Sequence, residues 1–318
     1  MGPQETKRQL TSKAQGPEAF GPGASPGLYL GVPESDYHDH PAISRSILAE
    51  AARMSPLHAL YSLESSEDEE DSSDSMDLGT AAHARVLQPR VFEDRYYVAA
   101  DRCEGIKGDG DQCSNSAKVR HNGQWYCGVH APSGDPDDIE VLKSSHYHSA
   151  EGIAQATQQD PDAAPLLHGL PGLEEATILW EDPETGLRLR ARPDRVACLP
   201  DGDVALADLK TTRSAHPQDF RRKYARHGYW LQPPFYEAAA ATLGADPVDF
   251  VFVVVESSRP YAVQCYRPDS DDRAGAGRRM DGLLSEMSTA LDSGAQAYSD
   301  GIDTLSLRRY QKDRLSIA

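Results

Sequence analysis

The stretch from Glu175 to Thr212 constrains the fold more than any other part of this 318-residue chain. ATILW, the turn EDPETG, LRLRARPDRVACL, the turn PDGD and VALADLKTT read as three strands joined by tight hairpins, since apolar and β-branched runs are bounded by Pro, Gly and Asp. In the last strand Asp208 and Lys210 stand one residue apart. Both side chains therefore leave the same face of the sheet, while Leu209 points the other way, into the core. A carboxylate and an ammonium inside an otherwise apolar strand are costly unless they have a task. The bland alternative is a surface ion pair, which is common and contributes little. Asp194 precedes the pair across the PDGD turn, and antiparallel pairing about that turn brings its carboxylate toward theirs.

The rest of the chain supplies the layers around these strands. VDFVFVVVE reads as a fully buried strand, with YAVQCYR as its hairpin partner. Ser44 offers an N-cap for a helix through Ile47, Leu48 and Ala51. DLGTAAHARVLQP predicts a helix with Leu78, Ala82 and Val86 on one stripe, His83 beside that stripe, and an end near Pro89. Helical pieces follow around Asp138 to Gln159, in PQDFRRKYARHG, in YWLQPPFYEAAAATLG and from about Arg273 to Ser293. The third of these sets Gln232 and Tyr236 four apart on one face. Strands and helices in this order predict an α/β fold, a mixed central β-sheet flanked by helices on both faces. Residues 1–26, rich in Gly, Pro, Gln and Ser, read as a disordered tail, which leaves 27–318 as the domain.

The charge balance is acidic, with 50 Asp plus Glu against 32 Lys plus Arg and a formal net charge of -18. Taken alone this disfavours nucleic acid, because phosphate contacts need Lys and Arg. Residues 64–77, ESSEDEEDSSDSMD, hold eight of the acids and no base, and read as a solvated acidic loop. A site that gathers divalent cations also needs carboxylates, and the ions reverse the charge that a phosphate meets. The remaining bases are then expected on one face. No apolar run approaches the roughly 18–20 residues that span a bilayer, and the N-terminus has no apolar signal region. A cytoplasmic protein without a membrane partner is expected.

Residues 101–131 form an insert with its own chemistry. Cys103, Cys113, Cys127 and His130 follow a C-x9-C-x13-C-x2-H pattern, and thiolates with imidazole in fours favour tetrahedral Zn²⁺. Too few apolar residues surround them for the segment to fold unaided, so the ion would supply the stability. A loop with free thiols is the plain alternative, and His121 is a possible substitute ligand. An iron–sulfur site is a further alternative, but Cys198 and Cys265 lie inside strands and read as small buried apolar residues. Lys107, Lys118, Arg120, Trp125 and Tyr126 make a basic and aromatic mix suited to a nucleic-acid backbone and its bases.

The set LGTAAH (78–83), ARPD (191–194), ADLKT (207–211) and Gln232 with Tyr236 resembles the PD-(D/E)xK nuclease superfamily, and within it the nuclease domain of exodeoxyribonuclease VIII and its phage and prophage relatives. YLGVPESDYH, SRSIL, ILWEDPETGLRLRARPD and the terminal IDTLSL extend the likeness from about Gly27 to about Arg309, broken by the acidic loop and the Cys-rich insert. The resemblance implies a restriction-endonuclease-like core in which His83, Asp194 and Asp208 hold Mg²⁺ or Mn²⁺ and Lys210 is the catalytic lysine. It implies an exonuclease on the ends of linear double-stranded DNA, working 5′ to 3′ to make single strands for recombination. A single-strand annealing partner and a homo-oligomeric ring are implied with it. Gln232 and Tyr236 become candidates for binding substrate or holding Lys210. Glu174 and Glu175, just before the first strand, are either a further ligand or solvated charges. Two other readings stay open: a structure-specific or single-strand nuclease of the same fold, and a non-catalytic DNA-binding or zinc interaction module.

Overall fold

The computed structural model describes residues 2–64, 74–245 and 247–294. The first 26 residues differ from the expected tail. Helix α1 (Pro3–Thr11) buries Leu10, and Thr6 Oγ1 donates to the carbonyl of Gly202 at 3.0 Å. Gln15 exchanges backbone hydrogen bonds with Leu28 and Leu30 at 2.9 and 3.0 Å, and Phe20 packs on the rings of Tyr29 and His40. A low average hydropathy hid two well-placed apolar anchors. The core then takes up strand β1 (Gly27–Tyr29), helix α2 (Glu34–Asp39), strand β2 (Ile43–Ser44) and helices α3 (Arg45–Arg53) and α4 (Pro56–Glu64). Ser44 caps α3, its Oγ accepting from the N–H of Ile47 at 3.4 Å. Of the acidic stretch, residues 65–73 lie outside the described residues. Glu64 ends α4, and Asp74 opens helix α5 (Asp74–Leu87).

Helix α6 (Pro89–Arg95) leads into strand β3 (Tyr96–Val98), and the insert carries a hairpin of β4 (Val119–His121) and β5 (Gln124–Tyr126). The chain returns through strand β6 (Glu140–Leu142), parallel to β3, into helix α7 (Ser144–Gln159). Strands β7 (Gly172–Glu174), β8 (Thr177–Glu181), β9 (Arg188–Ala191), β10 (Arg195–Cys198) and β11 (Val204–Thr212) follow. After β11 come helices α8 (Pro217–Arg226) and α9 (Gln232–Thr242), strands β12 (Pro247–Glu256) and β13 (Val263–Tyr266), and helix α10 (Ser270–Ser293). IDTLSL lies outside the described residues.

Two sheets share the work. One has the order β13-β12-β11-β10-β7 and is mixed, with β11 and β12 parallel and the other pairs antiparallel. The other has the order β1-β8-β9-β2. LRLRARPDRVACL is therefore two strands and not one: β9 belongs to one sheet and β10 to the other. The break falls at Arg192–Asp194, where Pro193 has no N–H to give to a ladder.

Helices cover both faces of the five-stranded sheet. Leu206, Phe250, Phe252 and Val254 pack into one cluster with α3, α9 and α10, through Leu48, Phe235, Leu283 and Met287. Leu209, Val251, Val253 and Val255 pack into a second with α5 and α7, through Ala82, Val86, Ile153 and Ala154. A strand buried on both sides has no polar alternation, which explains the unbroken apolar run of β12. No helix among the described residues is long and apolar enough to cross a membrane.

Candidate active site

The hairpin register sets the first two carboxylates. Arg195 pairs with Ala207 and Val196 with Leu206, so one further step places Asp194 opposite Asp208. Residues directly opposite in an antiparallel pair share a face and lie close, and two like charges there repel. Each carboxylate is held. Asp194 Oδ2 accepts the backbone N–H of Leu209 at 2.7 Å and lies 3.5 Å from His83 Nδ1. Asp208 Oδ1 accepts from Gln232 Nε2 at 2.7 Å, and the Lys210 ammonium forms an ion pair with Oδ2. Lys210 Nζ also lies 5.1 Å from the centre of the Tyr229 ring.

Glu175 completes the group. It follows β7 with a left-handed backbone, φ 48°, and its N–H donates to the carbonyl of Asp194 at 3.2 Å. Ligand atoms of His83, Glu175 and Asp194 all lie within 4.8 Å of one another. Asp208 stands beside this trio, close enough to raise the pKa of both acids in it. The neighbouring Glu174 takes no part and pairs instead with Arg195, its partner across the β7–β10 ladder.

The electrostatics are those of a site that wants a cation. Burial, and then the charge of Asp208, push the Asp194 carboxyl up to about 6, against the pull of His83 and Lys210. Burial and the Asp194 charge raise Glu175 well above the usual carboxylate range, although Arg192 draws it down. Burial alone would lower the Lys210 pKa, but the Asp208 and Asp194 carboxylates outweigh it and hold the ammonium charged. Clustered carboxylate oxygens with one imidazole suit a hard divalent ion such as Mg²⁺ or Mn²⁺, which would relieve this repulsion. The donor set therefore fits such an ion.

The structure brings His83, Asp194, Asp208 and Lys210 to the same place, on α5, the Pro-Asp break and β11. It buries Gln232 against Asp208 and Tyr236. The side chain is 2% exposed, bonded to Asp208 and 3.5 Å from the Tyr236 hydroxyl. A four-residue spacing names a helix face and says nothing of which face the sheet will cover. Tyr236 does line the cleft, and burial and the nearby Asp208 raise its pKa. Asp194 and Lys210 line the same cleft of about 780 Å³, with Arg45, Arg95 and Arg192 around them. Arg192 stacks on the Tyr37 ring at 4.3 Å and donates to the carbonyl of Val32 at 3.0 Å.

A family model described as "PDDEXK-like domain of unknown function (DUF3799)" matches residues 44–291. No curated protein sequence matches the chain. The crystal structure of a "Putative exonuclease" from Eubacterium rectale superposes with a TM-score of 0.53 at 11% identity, covering 91% of this chain and 97% of that one. At that identity the likeness speaks for the fold alone. The structure of SSO0001 is 16% identical over 44% of this chain and 56% of its own, with a TM-score of 0.27, too low to bear on the fold. The family match contains the His83, Glu175, Asp194, Asp208 and Lys210 cluster, and the chain belongs to this PDDEXK-like family, within the PD-(D/E)xK nuclease superfamily.

Proposed function

We propose that the protein is a metal-dependent exodeoxyribonuclease of the exodeoxyribonuclease VIII type, hydrolysing phosphodiester bonds of linear duplex DNA from its ends. The observation that carries this reading is one junction of helix, sheet break and strand. There His83, Glu175 and Asp194 gather ligand atoms beside the Asp208–Lys210 pair, on the floor of an arginine-lined cleft.

His83, Glu175, Asp194 and Asp208 would hold Mg²⁺ or Mn²⁺, whose chemistry there is activation of water and neutralisation of charge at the phosphate. The chain's own groups do the rest. Gln232 fixes one oxygen of Asp208 and the Leu209 N–H fixes one of Asp194, so neither acid has to reorganise when charge develops. Lys210 is kept protonated by its acids and stabilises negative charge on the attacking oxygen and on the phosphate. Arg45 and Arg192, with Arg95, which pairs with Glu140, are the cleft's guanidinium groups for the DNA backbone. No step runs through the thiols of the insert. Polarity from 5′ to 3′, recombination through an annealing partner and a ring of copies belong to the same reading, on the strength of the motif likeness.

Digestion of end-labelled linear duplex and of the matching closed circle, with Mg²⁺ or Mn²⁺, tests it. The linear DNA is degraded, the circle survives, and Asp208→Ala abolishes the loss. Cutting of the circle would replace the exonuclease with a structure-specific nuclease. A parent protein as inert as Asp208→Ala would leave a non-catalytic DNA-binding module.

A further inference from the structure

The insert leaves the core after β3 and returns through β6, two strands paired in parallel, so its ends are anchored side by side. Between them the buried apolar cluster consists of Cys103, Cys113 and Cys127 with Tyr126 against it. Three thiols and one ring are too little to hold a module of this length together.

What the thiols do is converge. With His130, their ligand atoms all lie within 4.8 Å of one another. Cys113 Sγ and Cys127 Sγ are 4.0 Å apart, and His130 Nδ1 lies 3.4 Å from Cys127 Sγ and 3.7 Å from Cys103 Sγ. A tetrahedral Zn²⁺ with bonds of about 2.3 Å to sulfur and about 2.0–2.1 Å to nitrogen needs sulfurs about 3.8 Å apart and sulfur about 3.5 Å from nitrogen. The match is to one ion, since a disulfide would need about 2.05 Å, and all three cysteines are free. Amide groups point at the sulfurs as they do at thiolates. The Gly105 N–H donates to Cys103 Sγ at 3.3 Å, the Asn115 N–H to Cys113 Sγ at 3.5 Å, and Asn115 Nδ2 to Cys127 Sγ at 3.7 Å. Gly105 also makes room for the fourth ligand, because a Cβ there would meet the Cβ of His130 at 2.6 Å. His121 is elsewhere, edge-on to the Tyr126 ring at 6.3 Å.

We propose that Cys103, Cys113, Cys127 and His130 bind one Zn²⁺ in a closed structural site, and that this ion folds the insert. Four protein ligands leave no open position for substrate or water, which separates it from catalytic zinc. The folded insert then reaches back to the core. Arg120 lies over the Tyr97 ring at 4.3 Å and 3.7 Å from Asp137, whose carboxylate accepts the N–H groups of Asn122 and Gly123 at 2.7 and 3.0 Å. Tyr97 belongs to β3, so this contact ties the folded insert to the strand from which it leaves the core.

The test is metal analysis of the full chain, joined to Co²⁺ substitution and limited proteolysis. One zinc per chain is expected, kept in Asp208→Ala and lost in Cys113→Ser with Cys127→Ser. Co²⁺ in its place should show the absorption of a tetrahedral thiolate site, a readout that needs no variant to fold. Zinc-loaded protein should resist cleavage within 101–131, and the chelated protein should be cut there while the sheet survives. A chain that purifies without zinc and refuses Co²⁺, iron with sulfide in its place, or an insert equally protected with and without chelator would each overturn the proposal, whatever becomes of the nuclease assignment.

Discussion

The carboxylate cluster and the thiol cluster are built in opposite ways. His83, Glu175, Asp194 and Asp208 come from α5, the end of β7, the Pro193 break and β11, each already placed by the two apolar clusters beneath the sheet. Cys103, Cys113, Cys127 and His130 come from one short loop whose own core is little more than the thiols. The first site is a set of charges that the fold forces together, with the pKa values of Glu175 and Asp194 raised by burial and then by the neighbouring carboxylates. The second is a loop with one short hairpin, for which the proposed zinc would supply the missing core. The core therefore places its donors by its own packing, and the proposed zinc would place those of the insert.

The largest expected effect would break or keep this contrast directly. Structural zinc supplies on the order of 10 kcal/mol of folding free energy to a small metal module. Chelation should thus open amide exchange throughout 101–131 by several orders of magnitude, while amides of β11 and β12 stay protected. Re-adding Mg²⁺ should not restore the insert. Equal loss of protection in both regions would erase the distinction.

Next comes Lys210→Ala. Removing one charge-stabilising donor costs about 10²–10³ in kcat, so duplex digestion should fall by that much with KM for DNA little changed and zinc content unaltered. A smaller change, under tenfold, would take Lys210 out of the reaction.

Glu175 and Glu174 sharpen the comparison within the first site. Glu175→Gln should weaken Mg²⁺ binding by at least about 10–100-fold, the range for losing a group that only supports a ligand. Glu174→Gln, which loses only the pair with Arg195, should leave Mg²⁺ binding as it was. Calorimetric titration of the two variants decides, and equal effects would remove Glu175 from the ligand set.

The smallest effect is a slope with pH. Asp194 has a folded pKa raised to about 6, so its contribution favours the metal-free fold at low pH and is lost as pH climbs through about 6. Urea midpoints of chelated protein should fall between about pH 4 and pH 6. Asp194→Asn should flatten the fall, and saturating Mg²⁺ should reverse it. An unchanged slope in the variant would mean that the crowding of the carboxylates is relieved in some other way.

Much of this was legible from neighbouring residues. The alternation around Leu209 put Asp208 and Lys210 on one face, the PDGD turn put Asp194 across from them, and the stripe Leu78, Ala82, Val86 put His83 beside the buried side of α5. The thiol pattern was legible too, because all four ligands sit within one segment. Three things escaped. Glu175 and Glu174 are adjacent acids, and only the pairing of Glu174 with Arg195 and the left-handed turn at Glu175 say which one faces the site. Gln232 turned inward because α9 packs against the sheet, where its side chain bonds to Asp208. Residues 1–26 joined the fold through Leu10, Phe20 and Gln15, too few to show against a Gly- and Pro-rich background.

By itself, then, the sequence determined periodicity, turn positions and donor chemistry, since these depend on residues within a few places of one another. Tertiary structure decided which acid joins the trio, which polar side chain is buried and where one long strand is divided between two sheets. Those outcomes depend on ladder registers and on packing between segments far apart along the chain, where a shift of a single residue sends every side chain to the opposite face.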